Sequence, residues 1–409
     1  MSRQTIHEYD NGLTLIIEPM ESVQSAAFSF LVPAGSCYEA ANRNGTAAIL
    51  SDLIVRGAGD RDSKQLSTSL DNLGLQRSES AGIYHIAFSG AALASQLGDA
   101  LQIYADILQR PHLQASQFEA ARAGIEQSLT ALLDEPRHLL FQELRRRCYP
   151  SPWGLPSEGS LDDLPDITIE CVRDLYNLTF RPGGAILGVA GNVDPDAIRL
   201  LIEEKFAGWQ RIAEPEISVR EQESAGNHVS HDSTQTHIGL AFPSVPYSHP
   251  QYYDAWAATS VLGGGMSSRL FTEVREKRGL CYSVHTNLSS LRDHGRLLCY
   301  AGATTDRAQE TLDVTLAEFS RLKSGIENAE LERCKARAKS SLVMQQESTT
   351  ARASSLARDW FHIQRVKSLE EVRAGIDAIN VDSVMDFVSE YLTQDFTLLA
   401  VGPAELEVR

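Results

Sequence analysis

The segment AILGVAGN, residues 185–192, is a short apolar run bounded by turn residues, a pattern typical of a buried β-strand. A similar run, TLLAVGPA, occupies residues 397–404, about 212 residues further along the chain. At the same offset VRDLYNLTF (172–180) corresponds to VMDFVSEYL (384–392), and both have helical periodicity. The matching order of elements indicates that the chain contains two copies of one structural plan.

Two more pairs extend the repeat. GIYHIAFSGA (82–91) and GRLLCYAGA (295–303) are predicted strands, and FEAARAGIEQSL (118–129) and LERCKARAKSSL (331–342) are predicted long helices. Each copy therefore combines strands and helices in the manner of an α+β sandwich. We expect two homologous α/β sandwich domains joined by a polar linker.

The boundary between the copies is predicted in a polar segment without apolar periodicity, residues 210–236, which contains Pro215. This places an N-terminal domain at 1–209 and a C-terminal domain at 237–409. A His-x-x-His pair, His228 and His231, lies in this segment, and we expect its side chains to be solvated and not to form a metal site.

Composition limits the classes of partner. The chain has 409 residues, a net charge of −17 and a sequence pI of about 5.1, and these values argue against nucleic acid or an anionic membrane as the main partner. The six cysteines show no C-x-x-C spacing, and neither a signal peptide nor a run of apolar residues long enough to span a membrane is recognisable. We expect a cytoplasmic protein.

Two longer phrases resemble a known family. AGSCYEAANRNGTAAILSDLIVRGA (34–58) is similar to the opening helix of the pitrilysin/insulinase-type zinc peptidases, nearest their processing-peptidase branch, and VLGGGMSSRLFTEVREKRGLCYSVHT (261–286) is similar to the matching segment of that family's second domain. The similarity extends over nearly the whole chain, including the two-copy plan. It implies the family's fold and a connection to zinc-dependent peptide hydrolysis.

In that family the first helix carries the inverted zinc motif H-x-x-E-H, in which two histidines on one helical face bind zinc and the glutamate activates water. Aligned with the motif, Ala48 takes the place of the first histidine, Ser51 that of the glutamate and Asp52 that of the second histidine. The resemblance therefore implies a degenerate catalytic site, with no metal and no cofactor in this chain. The residues alone also permit a polar patch on a helix that lines a cavity.

A later predicted helix contains Glu119 and Glu126, seven residues apart. The resemblance places Glu126 where the family has its third metal ligand and Glu119 two helical turns earlier. Asp52 and Glu126 together could form only a weak oxygen site, which suits zinc poorly. The alternative is that both glutamates lie on an exposed helix face without a metal.

The second phrase retains a pair that the family's active enzymes use to hold the substrate backbone and the developing oxyanion, and its positions correspond to Arg275 and Tyr282. A guanidinium and a phenol are suitable donors for a polarised peptide carbonyl. Two alternatives remain at this point. Arg275 could form a surface ion pair with Glu273 or Glu276, and Tyr282 could pack in the core.

A first helix without the zinc-binding motif, together with a retained Arg/Tyr pair, favours a non-catalytic, substrate-binding subunit of a heterodimeric zinc metallopeptidase. Such an enzyme would act on peptides or unfolded segments. The partner would be a homologous chain that carries H-x-x-E-H and the zinc, and without it the chain could form a homodimer. A structural or assembly subunit, comparable to the core proteins of a respiratory complex, is the second hypothesis. A peptidase active by itself is the third.

Overall fold

The computed structural model describes residues 4–221, 226–393 and 395–408. The strands in this part of the chain are β1 (Thr5–Glu8), β2 (Thr14–Pro19), β3 (Ser25–Val32), β4 (Gly57–Ala58), β5 (Arg61–Asp62), β6 (Gln76–Ala81), β7 (Ile86–Leu93), β8 (Ile186–Gly191), β9 (His228–Ser230), β10 (Gln235–Ser244), β11 (Cys281–Ser290), β12 (Gly295–Thr304) and β13 (Thr397–Gly402).

The helices are α1 (Thr46–Leu53), α2 (Ser63–Asn72), α3 (Leu97–Gln109), α4 (Ala115–Leu133), α5 (Pro136–Cys148), α6 (Ile169–Thr179), α7 (Pro195–Phe206), α8 (Tyr252–Gly263), α9 (Ala308–Leu322), α10 (Asn328–Gln346), α11 (Thr349–Ile363), α12 (Leu369–Ala378) and α13 (Val381–Tyr391). A π-helical segment, Phe271–Glu276, lies between α8 and β11. Among the described residues, no helix has the length and apolar character needed to cross a membrane.

The chain divides into two compact units, each made of three segments. Unit 1 consists of residues up to 131, 155–219 and 344–366, and unit 2 of 132–154, 220–343 and 367 onward. These units differ from the continuous stretches 1–209 and 237–409 because α5 belongs to unit 2 and α11 to unit 1. The expected linker also differs: β9 lies within it, and Nε2 of His228 donates a 2.8 Å hydrogen bond to the carbonyl of Gly402.

Unit 1 contains a sheet with the order β1-β2-β8-β3-β7-β6, in which β2 and β8 are parallel. One face of this sheet packs against α11 through a cluster of buried residues: Ile16, Ala27, Ile186, Ala190, Ala353, Leu356, Ala357 and Trp360. A Cβ at Gly188 would lie 2.4 Å from the carbonyl oxygen of Ala353, so only glycine allows α11 to approach β8 this closely. On the other face, Phe28 contacts Tyr104 of α3.

Unit 2 repeats this arrangement with a sheet of order β11-β12-β10-β13-β9, in which β13 and β9 are parallel. Its main core lies between the sheet and α8, α9 and α13, and α5 covers the opposite face with Leu140 and Leu144 against Gly239. Read from β6 and from β11, the strand orders of the two sheets correspond. The predicted fold of two homologous α/β sandwich domains is confirmed, with each unit receiving one helix from the other half of the chain.

Candidate functional site

Helix α1 is held at its N-terminus by a carboxylate from outside the helix. Gly45 precedes the helix with φ of 119°, a left-handed conformation that favours glycine, and its position provides no side-chain cap. Glu39 supplies the missing acceptor: one oxygen accepts from the backbone N–H of Ala47 (2.7 Å) and of Gly45 (3.1 Å), and the other accepts from the side chain of Asn44 (2.9 Å). These bonds satisfy donors that a helix start leaves free.

Burial raises the pKa of Glu39 to about 7, and the hydrogen bonds from Ala47, Asn44 and Gly45 act in the opposite direction. The side chain therefore changes its protonation near neutral pH while it remains part of the turn before α1. Nothing in the local sequence marks this role, because Glu39 acts across a turn and eight residues from its farthest donor.

The three positions of the degenerate motif are neutral or paired. Ala48 and Ser51 are buried, and the hydroxyl of Ser51 donates a 2.8 Å hydrogen bond to the carbonyl of Ala48 within the same helix. Asp52 is half-exposed and accepts a hydrogen bond from Arg56, one turn later. Arg56 thus provides the positive charge that faces this carboxylate.

The glutamates of α4 lie on an exposed helix face. Glu119 forms a 2.8 Å ion pair with Arg122, and its side chain is 69% exposed. Glu126 is also exposed. Across the described ranges, no group of three or more His, Cys, Asp or Glu side chains is placed to hold a metal ion. With an alanine, a serine and an ion-paired aspartate at the motif, these donors do not fit zinc.

Arg275 lies on the π-helical segment, whose apolar side is anchored in the core of unit 2. Leu270 and Val274 are fully buried, and the N–H of Lys277 donates to the carbonyl of Thr272, five residues earlier, at 2.9 Å. Such wide turns are rare and frequent at functional sites. The guanidinium carbon of Arg275 lies 4.7 Å from the centre of the Phe271 ring.

Tyr282 occupies a bulge at the start of β11. Cys281 pairs with Ala303 and Ser283 with Gly302, so Tyr282 is the extra residue of its strand. Bulges redirect side chains and are common beside active sites. Tyr282 is 82% exposed, which excludes the core-packing alternative, and its ring centre lies 5.2 Å from the guanidinium carbon of Arg275. The structure brings the two residues together.

Arg275 forms no ion pair with Glu273 or Glu276, the alternative that the sequence left open. Glu273 instead accepts from Lys277 at 2.7 Å and from Arg278 at 2.8 Å. Hydrogen bonds from Lys277 and then Arg278 hold the pKa of Glu273 below its usual value. Within the part of the chain that is described, no carboxylate pairs with Arg275. A cation and a phenol are therefore available together at the surface of unit 2.

Phe271 was not identified as a functional residue from the sequence. The available signal was its spacing: it precedes Arg275 by four residues, which places both side chains on one face of a helical segment.

Residues 14–156 match the family model described as Insulinase (Peptidase family M16), and residues 166–338 match the model described as Peptidase M16 inactive domain. Proteins named as uncharacterized zinc proteases are similar over nearly the full length. That of Bacillus subtilis, YmxG, is 26% identical over 96% of this chain and 97% of its own, and that of Rickettsia felis is 26% identical over 98% of both.

Two solved structures share the fold. A peptidase M16 inactive domain from Pseudomonas fluorescens matches with a TM-score of 0.89 and 18% identity, covering 99% of each chain. A protease from Helicobacter pylori matches with a TM-score of 0.91 and 20% identity, covering 98% of this chain and 100% of its own.

Proposed function

The chain belongs to the insulinase family of peptidases, family M16, and within it we propose that this member is the non-catalytic, substrate-binding subunit of a two-chain zinc peptidase. Its partner is a homologous chain with an intact H-x-x-E-H helix, which carries the zinc. The substrates are peptides or unfolded segments, whose backbone carbonyls Arg275 and Tyr282 bind.

The observation that carries this proposal is the exposed Arg275–Tyr282 pair. A guanidinium that is held against an exposed phenol and has no carboxylate partner among the described residues suits a ligand that supplies oxygen acceptors. Peptide carbonyls are such acceptors, and their oxygens gain negative charge during hydrolysis.

The state of α1 supports a non-catalytic role. Its motif positions hold Ala48, Ser51 and Asp52, and the only charged one of the three is paired with Arg56. None of these groups could activate a zinc-bound water. Hydrolysis therefore requires donors from another chain.

The test is to mix the purified chain with a homologue that carries H-x-x-E-H, and to measure complex formation by size-exclusion chromatography and cleavage of a fluorogenic peptide library. We expect a heterodimer that cleaves peptides faster than the homologue alone, and an isolated chain with zinc content near zero. If the two chains form no complex and the mixture shows no gain in activity, the proposal is overturned. One equivalent of zinc in the isolated chain would favour a peptidase active by itself.

Variants of the same complex distinguish a substrate-binding subunit from a structural or assembly subunit. If Arg275→Ala and Tyr282→Ala leave both assembly and cleavage unchanged, the pair has no substrate role and the chain acts as a scaffold. A homodimer of the isolated chain that persists when the homologue is added would also contradict the heterodimer.

A further inference from the structure

The guanidinium of Arg275 lies close to two aromatic rings that come from two different elements. Phe271 lies on the same π-helical segment, at 4.7 Å, and Tyr282 comes from the bulge of β11, at 5.2 Å. Both distances lie within the range in which a cation is attracted to the face of a ring. We call these two rings the Arg275 clamp.

The clamp holds the cation without neutralising it. Glu273 is engaged by Lys277 and Arg278, and the guanidinium of Arg275 has no hydrogen bond or ion pair with any described residue. Aromatic faces attract the guanidinium but do not use its N–H groups in the plane. Its donors therefore remain available to a ligand.

The two sides of the clamp differ in rigidity. Tyr282 is largely exposed, whereas Phe271 is half-buried and directly follows two anchored residues. Arg269 forms a 2.6 Å ion pair with Glu330 and donates to the carbonyl of Gly325 at 2.9 Å, and Leu270 is fully buried. Phe271 is accordingly the fixed side against which the guanidinium rests.

We propose that Phe271 is a positioning residue for Arg275: its ring holds the guanidinium with its donors toward the substrate before the substrate binds. A restrained arginine loses less side-chain freedom on binding than a free one, so the restraint strengthens substrate binding. This inference rests on the proposed function. It adds Phe271 to the Arg/Tyr pair, as the residue that positions Arg275.

The test compares Phe271→Leu, which removes the ring and keeps an apolar side chain, with Phe271→Tyr, which keeps the ring. In the complex with the H-x-x-E-H homologue we expect Phe271→Leu to raise KM about 3- to 10-fold with a smaller change in kcat, as expected for loss of one cation–π contact. Phe271→Tyr is expected to restore the parent KM.

A second readout does not depend on activity. In the isolated chain labelled with ¹⁵N-arginine, the side-chain Nε–Hε signal of Arg275 is assigned from its absence in Arg275→Ala. We expect this signal to be shifted by the ring current of Phe271, and to move toward the position of a free arginine in Phe271→Leu but not in Phe271→Tyr. Phe271→Met replaces Phe271→Leu if the latter lowers Tm or prevents assembly.

The outcomes separate the two proposals. If Arg275→Ala lowers activity but Phe271→Leu changes neither KM nor the Arg275 signal, the positioning role is wrong and the proposed function stands. If Arg275→Ala has no effect on activity in an intact complex, the proposed function itself is overturned.

Discussion

Helix α1 of unit 1 and the segment 271–282 of unit 2 differ in whether their polar side chains have partners within the chain. At α1, Glu39 accepts three hydrogen bonds, Ser51 bonds within its own helix and Asp52 is paired with Arg56. At the second segment, the guanidinium of Arg275 lies close to two aromatic rings and has no carboxylate partner among the residues described. Polar groups that have partners within the chain stabilise it, whereas an unpaired cation beside an exposed phenol is available to a ligand.

The largest effect that would test this contrast is expected from Arg275→Ala. In the complex with the H-x-x-E-H homologue, we expect peptidase activity to fall by about 10²-fold or more while assembly persists, the scale found for loss of one oxyanion donor. The control is Arg321→Ala, since Arg321 lies in the same unit but is paired with Glu318 at 2.7 Å. Equal losses from the two variants would contradict a specific role for Arg275.

At the N-terminus of helix α1, we expect Glu39→Ala to lower the stability of the chain. The substitution leaves the N–H groups of Gly45 and Ala47 and the amide of Asn44 without their acceptor. We expect the free energy of unfolding to fall by about 3 kcal/mol, measured by urea denaturation. Glu119→Ala, on an exposed face, serves as the matched control and should change it by less than about 0.5 kcal/mol.

The raised pKa of the Glu39 carboxyl group predicts that the free energy of unfolding depends on pH. Its pKa is raised from 4.5 to about 7 in the folded chain, mainly by burial, so the folded state binds this proton more tightly than the unfolded state. The stability that this proton contributes is fully present below pH 4.5 and is lost as pH rises through 7.

We therefore expect the difference in unfolding free energy between the parent and Glu39→Gln to change by about 2 kcal/mol between pH 5 and pH 7.5, to the disadvantage of the parent at the higher pH. Urea denaturation at each pH measures this difference. Parallel pH profiles of the two proteins would show that Glu39 titrates normally.

The smallest effect is expected from Asp52→Asn. Its ion pair with Arg56 is partly exposed and spans one helical turn, so its loss should cost about 0.3 to 0.5 kcal/mol. Complex formation and peptidase activity should remain at parent levels. A strong loss of activity would show that Asp52 takes part in the chemistry and that α1 is not merely structural.

The tandem fold was predictable because the repeat preserves element type and spacing, and α6 with α13 and β8 with β13 occur where the offset places them. The exchange of α5 and α11 was not predictable in this way. An apolar helix face specifies that a sheet must cover it, but two homologous sheets offer similar surfaces, and Gly188 and Gly239 allow close approach on both.

At the candidate site, the spacing of Arg275 and Tyr282 was readable from the sequence, but the exposure of Tyr282 was not. Tyr282 stands in an alternating apolar run that equally suits a core strand, and only the pairing of β11 with β12 creates the bulge that turns it outward. Glu39 was missed for a related reason, since its partners are brought to it by a turn and not by helical periodicity.

The placement of α11 also has a consequence for biosynthesis. The helix that covers Ile16, Ala27 and Ile186 ends at residue 363, so the ribosome must deliver most of the 409 residues before this face of the first sheet can be covered. Domains commonly fold in the order of synthesis, and an uncovered apolar sheet favours aggregation. The sheet of the nascent N-terminal half therefore stays prone to aggregation until α11 has been synthesised, and a chain truncated after residue 209 would lack that cover permanently.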